Sequence, residues 1–281
     1  MTVGKIAVIG ANGMLGYATS EFFKSNKYSV ASFTRSQFDI STGDMAVLER
    51  LCQDAEVVIN CAGVIKQKIT HYTIEETLKV NSIFPVNLAK LCNKLGIMCF
   101  HITTDCVFSG KRGSYVESDY YDPVDIYGVS KAAGDTPDCM TLRTSIIGEE
   151  KFHADSLLSW VKSRRGTIIN GFTNHYWNGV TTLYLAELIE QIIKKHLYSP
   201  GIFHLYTQPV VNKYQLVSFI NEVYELGITV NKFETDSLID RSLSSAKSLS
   251  EQLVTKDLLT QIFELKAFFD KLRESADGNM N

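Results

Sequence analysis

The residues best equipped for chemistry are Tyr127 and Lys131, a phenol and an ammonium four positions apart in Tyr127-Gly-Val-Ser-Lys131. On a helix that spacing puts both on one face. A free tyrosine titrates near pH 10, and bringing it toward neutrality takes about 4 kcal/mol. One ammonium about 4 Å away, at an effective dielectric typical of protein surfaces, supplies on the order of 4 kcal/mol. The pair is therefore suited to give a proton to a carbonyl oxygen as hydride reaches the carbon. In Thr103-Thr104-Asp105 the Thr104 hydroxyl can polarise the same oxygen, and Asp105 can accept from a neighbouring sugar hydroxyl. The plainer role for both is a strand-end cap.

A hydride needs a carrier. Gly10-Ala-Asn12-Gly13-Met14-Leu15-Gly16 follows the apolar run Ile6 to Ile9 and opens an amphipathic stretch. Glycines at such a strand–helix junction allow a tight turn, close backbone approach to phosphate and helix-on-strand packing. The helix N-terminus adds free N–H groups and the positive end of a dipole for a pyrophosphate. At the end of the second strand, where an acidic residue would bind the ribose hydroxyls of NAD, the chain carries Thr34-Arg35-Ser36. A guanidinium flanked by hydroxyls suits the 2′-phosphate of NADPH, with a solvated loop arginine as the alternative. Asp39 and Ile40 are expected at the adenine, although a turn-capping role fits Asp39 nearly as well.

A polar substrate beside the cofactor would need cations for any anionic group and amides and aromatic faces for its body. Arg143 at a strand end, Arg241, and Asn174 and Trp177 in Asn174-His-Tyr-Trp177-Asn178 are the candidates. Trp177 reads equally well as interdomain core. Trp160, spaced helically with Leu157 and Val161, reads as core, and Thr181-Thr182 as a helix cap.

These groups need a scaffold. Branched runs at 5–10, 28–34, 57–61, 98–103 and 140–143 alternate with helical patterns at 14–25, 44–53, 74–95 and 124–135. Asp122-Pro123 supplies the expected start of the last helix. Strand–helix alternation favours a doubly wound parallel sheet of α/β class, covered on both faces. After Gly148 the pattern loosens: a helix at 156–164, a polar loop at 171–179, a helix at 182–196, a strand at 202–206 and a helix at 213–224. The expected division is a dinucleotide-binding domain over 1–147 and a smaller α+β substrate lobe over 148–281, with a possible crossing back to the first domain. Residues 275–281 are polar and expected to fray.

The 281 residues are 45% hydrophobic, with a net charge of −3 spread evenly along the chain, which speaks against nucleic-acid or membrane-surface partners. No apolar run approaches the roughly 18 residues of a membrane span. The six cysteines contain no CxxC pair, so neither a metal site nor a disulfide framework is expected, and reduced thiols in a cytoplasmic protein are the simplest reading.

With IAVIGANGMLG, ITTDCVFSGKRGSYVESDYYDP, YGVSKAAGD and LRTSIIG in order, the chain resembles the extended short-chain dehydrogenase/reductases. Within them it is most similar to the dTDP-4-dehydrorhamnose reductase family of sugar-nucleotide-binding proteins. The resemblance is specific over the first half and fainter at GIFHLY and Asp240-Arg241-Ser-Leu-Ser. It implies a Rossmann domain, a small C-terminal lobe, and reduction by NADPH of the 4-keto group of a nucleotide-linked 6-deoxyhexulose. By the same resemblance Thr104, Tyr127 and Lys131 match the catalytic set. Cys61, Ala62 and Gly63 match the loop beside the cofactor, Thr103 falls with them, and Asn81 matches an asparagine that supports the lysine through water. Cys106 replaces the family's common aromatic in the wall of the sugar pocket, and Lys66 and Lys68 replace smaller residues after the cofactor loop. The partners implied are a nucleotide sugar and, as an assembly open to the chain, a homodimer. Two other readings stand beside this one. One is a nucleotide-sugar epimerase or dehydratase, which Arg35 disfavours. The other is a non-catalytic NADP-binding regulatory subunit like the beta subunit of methionine adenosyltransferase.

Overall fold

The structure, a computed structural model, describes residues 4–278. Its first strand, β1 (Lys5–Ile9), alternates strictly between two interiors. Ile6 and Val8 enter one apolar cluster, Ala7 and Ile9 the other. A strand buried on both sides must be covered on both sides, which is the condition for a parallel sheet wound with helices. The remaining strands of the first half are β2 (Ser29–Phe33), β3 (Ala55–Asn60), β4 (Met98–Thr104) and β5 (Met140–Thr144). A sixth strand, Gly201–His204, comes from the second half of the chain and pairs with β5. The order across the sheet is 201–204, β5, β4, β3, β1, β2, and every pairing is parallel. The order in which strands are added reverses between β1 and β3, so a ligand crevice opens at the C-terminal ends of those strands.

Helix α1 (Met14–Ser25) follows β1, and α2 (Met45–Cys52) starts at Asp44, whose side chain accepts from the Ala46 N–H at 2.8 Å. The stretch expected as one helix over 74–95 is divided. α3 (Ile74–Leu78) begins with a Thr73/Glu76 capping box, Lys79–Ile83 widens into a π turn, and α4 (Phe84–Leu95) ends at Gly96 in the left-handed region. The π turn carries Asn81 and Ser82 inward; such turns insert an extra residue without breaking the helix. α5 (Ile126–Ala132) carries Tyr127 and Lys131 and is capped by Asp125, not Asp122. Asp122 instead accepts from the Ser109 N–H at 2.8 Å, which holds the preceding loop.

In the second half, α6 (Leu157–Lys162) and α7 (Thr182–Lys194) come first, and α7 lies against α1. Thr181 caps α7 by accepting from the Tyr184 N–H, as its sequence position indicates. The segment expected as a loop at 171–179 is largely strand. Ile168–Phe172 pairs with Thr229–Phe233, and His175–Trp177 lies between Val211–Asn212 and Ile239–Asp240. These partners are distant in the chain, so no local alternation announces them. α8 (Lys213–Val223) leaves from that small sheet, and a last helix runs over Leu258–Gly278. The expected fraying from Ser275 is therefore not seen as far as Gly278, and 279–281 lie outside the described residues. Among the described residues no helix is long and apolar enough to cross a membrane, and all six cysteines are free thiols.

Candidate active site

The glycine turn forms the floor of a cleft of about 220 Å³. Gly10 sits at φ +82°, and a Cβ there would lie 2.8 Å from the Ala62 Cα, so the turn tolerates no side chain. The cleft is lined by Gly10, Asn12, Gly13, Arg35, Asp39, Ile40, Cys61, Ala62 and Gly63, all nominated from sequence. Met14 and Leu15 open α1 directly behind the turn, with Gly16 buried in its first coil. Tyr72, Val80 and His153 also line the cleft and carry no sequence signal for it. The cleft thus offers a Cβ-free cradle at a helix N-terminus with one guanidinium at the far end. That donor set fits a dinucleotide bearing an extra phosphate. Arg35 is presented by a local scaffold: its Nε donates to Asp39 at 2.9 Å and its Nη1 to the Tyr72 hydroxyl at 3.1 Å. Asp39 spends its other oxygen on the N–H and hydroxyl of Ser41, so its carboxylate acts as the turn cap.

The cleft runs directly into the proton-transfer residues. A Cβ on Gly63 would stand 2.7 Å from Lys131 Nζ, so the buried lysine passes immediately beneath the cofactor loop. Asn81 staples this region. Its Oδ1 accepts from the Val64 N–H at 2.8 Å, and its Nδ2 donates to the Val64 carbonyl and the Ser130 hydroxyl, both at 3.0 Å. The side chain is thereby tied to the Val64 backbone and to Ser130. Thr103 is buried at the end of β4, and its hydroxyl has no partner among the described residues.

Thr104 stands at the mouth of the crevice, donating to Asp105 Oδ1 at 3.1 Å and accepting from the Cys106 N–H at 3.1 Å. It also stands near Tyr127 and favours the ionised phenol. That influence is outweighed. Burial first, then the neighbouring Cys106 and Asp105, push the Tyr127 phenol above its ordinary range. Lys131 does not acidify it as its spacing suggests, because removing the phenolate from water costs more than that spacing returns. Burial also lowers Lys131 to about 8, against the favourable charge of Asp135 and then Cys61. Near pH 7 Tyr127 therefore holds its proton and Lys131 is largely an ammonium, the states a proton donor for ketone reduction requires. Burial, then the Asp105 charge, push the Cys106 thiol up to about 12, so it is a neutral wall of the site.

Three substrate candidates are elsewhere engaged. Arg143 is wholly buried. It pairs with Asp135 at 2.6 Å, donates to His204 Nε2 at 2.7 Å and to the Tyr121 hydroxyl, and lies over the Phe108 ring at 5.1 Å. Trp177 is 4% exposed and belongs to the main apolar cluster. Asn174 donates to the Thr235 carbonyl at 2.7 Å and accepts from the Thr235 N–H at 3.1 Å, which closes a turn. Each has been claimed by long-range packing that spacing does not report. Arg241 does face the site: its Nε donates to the Phe108 carbonyl at 2.9 Å, and its charge bears on Asp105. A residue missed from sequence joins it. Lys213, the first residue of α8, stands 5.3 Å from the Trp177 ring centre and acts on Asp105. Burial, above all, lowers it to about 8. Nothing local distinguishes it from a helix-start lysine on the surface. Asp105 itself is buried, and burial raises its carboxyl despite the two cations. Lys66 and Lys68 are held in ion pairs with Asp125 at 2.7 Å and Asp155 at 2.8 Å.

His204 receives the Arg143 N–H on Nε2, so its proton is on Nδ1, directed at the Ser244 carbonyl at 2.7 Å. Burial, then the Arg143 charge, lower it to about 4. An unfolded histidine titrates near 6.5, so folding favours the neutral ring. That contribution is complete above about pH 6.5 and is lost as pH falls toward 4, on the order of 3 kcal/mol. Urea denaturation across this range is expected to show the loss, and His204→Gln, which keeps an acceptor for Arg143, is expected to flatten it.

The family model described as RmlD substrate binding domain matches residues 4–277. The chain is 33% identical over 149 residues to a dTDP-4-dehydrorhamnose reductase of Mycolicibacterium smegmatis, a match spanning 50% of this chain and 45% of that one. A protein of the same name from Aggregatibacter actinomycetemcomitans is 27% identical over 250 residues, covering 85% of this chain and 84% of its own. In three dimensions, a crystal structure of dTDP-4-dehydrorhamnose reductase from Bacillus anthracis in complex with NADP matches with a TM-score of 0.78 at 20% identity, covering 94% of this chain and 99% of that chain.

Proposed function

This chain belongs to the RmlD substrate-binding family, a group of extended short-chain dehydrogenase/reductases, and we propose that it is an NADPH-dependent reductase of the 4-keto group of a nucleotide-linked 6-deoxyhexulose. The observation that carries the reading is continuity: Gly63 of the glycine-floored cleft touches on Lys131, which shares a helix with Tyr127, which in turn adjoins Thr104. Gly10, Asn12, Gly13 and the first turn of α1 would hold the pyrophosphate, Arg35 the 2′-phosphate, and Cys61, Ala62, Gly63 and Lys131 the nicotinamide ribose. NADPH, when bound, supplies the hydride. Tyr127 donates its proton to the ketone oxygen, Thr104 turns its hydroxyl from Asp105 to the same oxygen, and Lys131 offsets the negative charge left on the phenol.

The cofactor lobe in this reading is the six-stranded sheet with its helices, including the returning strand 201–204. The substrate lobe is the remainder after residue 147. Its contribution is the cation pair Lys213 and Arg241, from the two edges of the small sheet around His175–Trp177. These replace Arg143 as the groups that meet the substrate diphosphate. Lys213→Met is accordingly expected to raise the KM of the sugar nucleotide about tenfold, about what losing one charge-assisted contact costs. The NADPH dissociation constant is expected to stay unchanged, as read by cofactor fluorescence.

The test of the whole reading mixes the purified protein and NADPH with dTDP-, UDP- and GDP-linked 4-keto-6-deoxy sugars. Loss of reduced-nicotinamide absorbance with one of them supports it. No turnover with any sugar, together with a stable partner enzyme in pull-down, would replace it with a regulatory role.

A further inference from the structure

Two loops complete the lining of the cofactor cleft. One runs over 64–72 and the other passes through His153, and Val64, Tyr72 and His153 all line the cleft. Each loop is pinned at its feet. Asn81 holds the Val64 N–H at 2.8 Å and its carbonyl at 3.0 Å, and the Tyr72 hydroxyl accepts from Arg35 at 3.1 Å. In the second loop Glu150 accepts from the Ser156 N–H and the Ser159 hydroxyl, both at 2.8 Å. Between those feet little is buried: 66–71 is a 3-10 turn with no buried residue, and 151–154 are exposed throughout. Segments so poor in buried contacts open ahead of the core. A single ion pair joins the two loops, Lys68 Nζ to Asp155 at 2.8 Å. Among the described residues no hydrogen bond and no other ion pair connects them, since Lys66 turns to Asp125 at the start of α5.

The cleft is narrow for a dinucleotide. Its volume of about 220 Å³ lies below the roughly 300 Å³ at which small-molecule sites begin, and a dinucleotide is a large ligand. Gly10 and the ends of β1 and β3 are fixed by the sheet, so the loops are the walls that give way. We propose that the Lys68–Asp155 pair is a clasp between these loops, and that NADPH enters and leaves when the clasp opens. The inference rests on the reading of this cleft as the NADPH site. The strength of the pair suits the task. Its side chains are 28% and 32% exposed, so water screens the attraction, and it favours the joined loops by about a fivefold factor. So weak a pair yields readily, and the pinned feet return both loops to the same place. A clasp that forms in free and loaded protein alike slows entry and exit equally and leaves the binding equilibrium untouched.

The experiment measures NADPH association and release by stopped-flow fluorescence in Lys68→Met, Asp155→Asn and the reversed pair Lys68→Asp/Asp155→Lys. Both single variants are expected to raise the two rates together, by about fivefold, with the dissociation constant unchanged. The reversed pair should restore both rates toward wild type. Simple charge effects predict otherwise: loss of a cation slows the approach of an anionic cofactor, and loss of an anion speeds it. Any other pattern overturns the inference. Opposite changes in association would leave only that steering, and a change in release alone would mark a direct contact with the cofactor. Wild-type rates in both single variants would leave a surface pair without function. Wild-type protein that binds no NADPH would instead remove the reading beneath it, and the inference with it.

Discussion

Tyr127→Phe is expected to lower kcat by about 10³-fold, the middle of the range for losing a general acid. The substitution removes one oxygen from a half-buried ring and leaves its packing intact. Folding and NADPH affinity should therefore match wild type. The pH profile of wild type carries a second part of this expectation. Because burial lifts the phenol above its ordinary range, Tyr127 stays protonated well beyond pH 8. Lys131, lowered to about 8, loses its proton first as pH rises. The basic limb of kcat should therefore fall near pH 8 and belong to the ammonium. Steady-state kinetics from about pH 6 to 10 check this, and a basic limb that persists unchanged in Lys131→Met would refute the assignment.

Arg143→Ala is expected to destabilise the protein by about 3 to 5 kcal/mol, because it strands the buried Asp135 carboxylate and empties the space between the Phe108 and Tyr121 rings. For a chain of this length that corresponds to a fall in Tm of roughly 10 °C. Calorimetry reads it directly. Measured well below the new midpoint, the KM for sugar nucleotide should change far less than in Lys213→Met. The reverse pattern, an intact Tm with a large rise in KM, would return Arg143 to the substrate side, where sequence alone placed it.

Arg143 and Lys213 mark the boundary between what a linear reading reaches and what it misses. Both are cations near elements that bear on the site, one at a strand end and one at a helix start. From sequence the first looked like a ligand and the second carried no signal. Partners far along the chain decide the placement of both. Arg143 meets His204 from 61 residues away, and Lys213 is aimed across Trp177 by a strand pairing of Val211–Asn212 with His175–Trp177. The same holds for Asn174, drawn into a turn by Thr235. It holds too for residues 171–179, whose strands exist only through pairing with 211–212, 229–233 and 239–240.

The features legible without coordinates share one property: their physics is local. The glycine turn depends on backbone freedom within seven residues, Tyr127 and Lys131 on the pitch of one helix, and β1 on an apolar, branched run of four residues after Lys5. Each follows from covalent geometry and the 3.6- and 2-residue periods, which any stretch of chain carries within itself. Tertiary structure decided which buried charges pair, which cations face the crevice, and whether the phenol's surroundings favour its proton. Those outcomes depend on desolvation and on distances between groups brought together from remote positions, and no short-range pattern of side chains encodes either quantity.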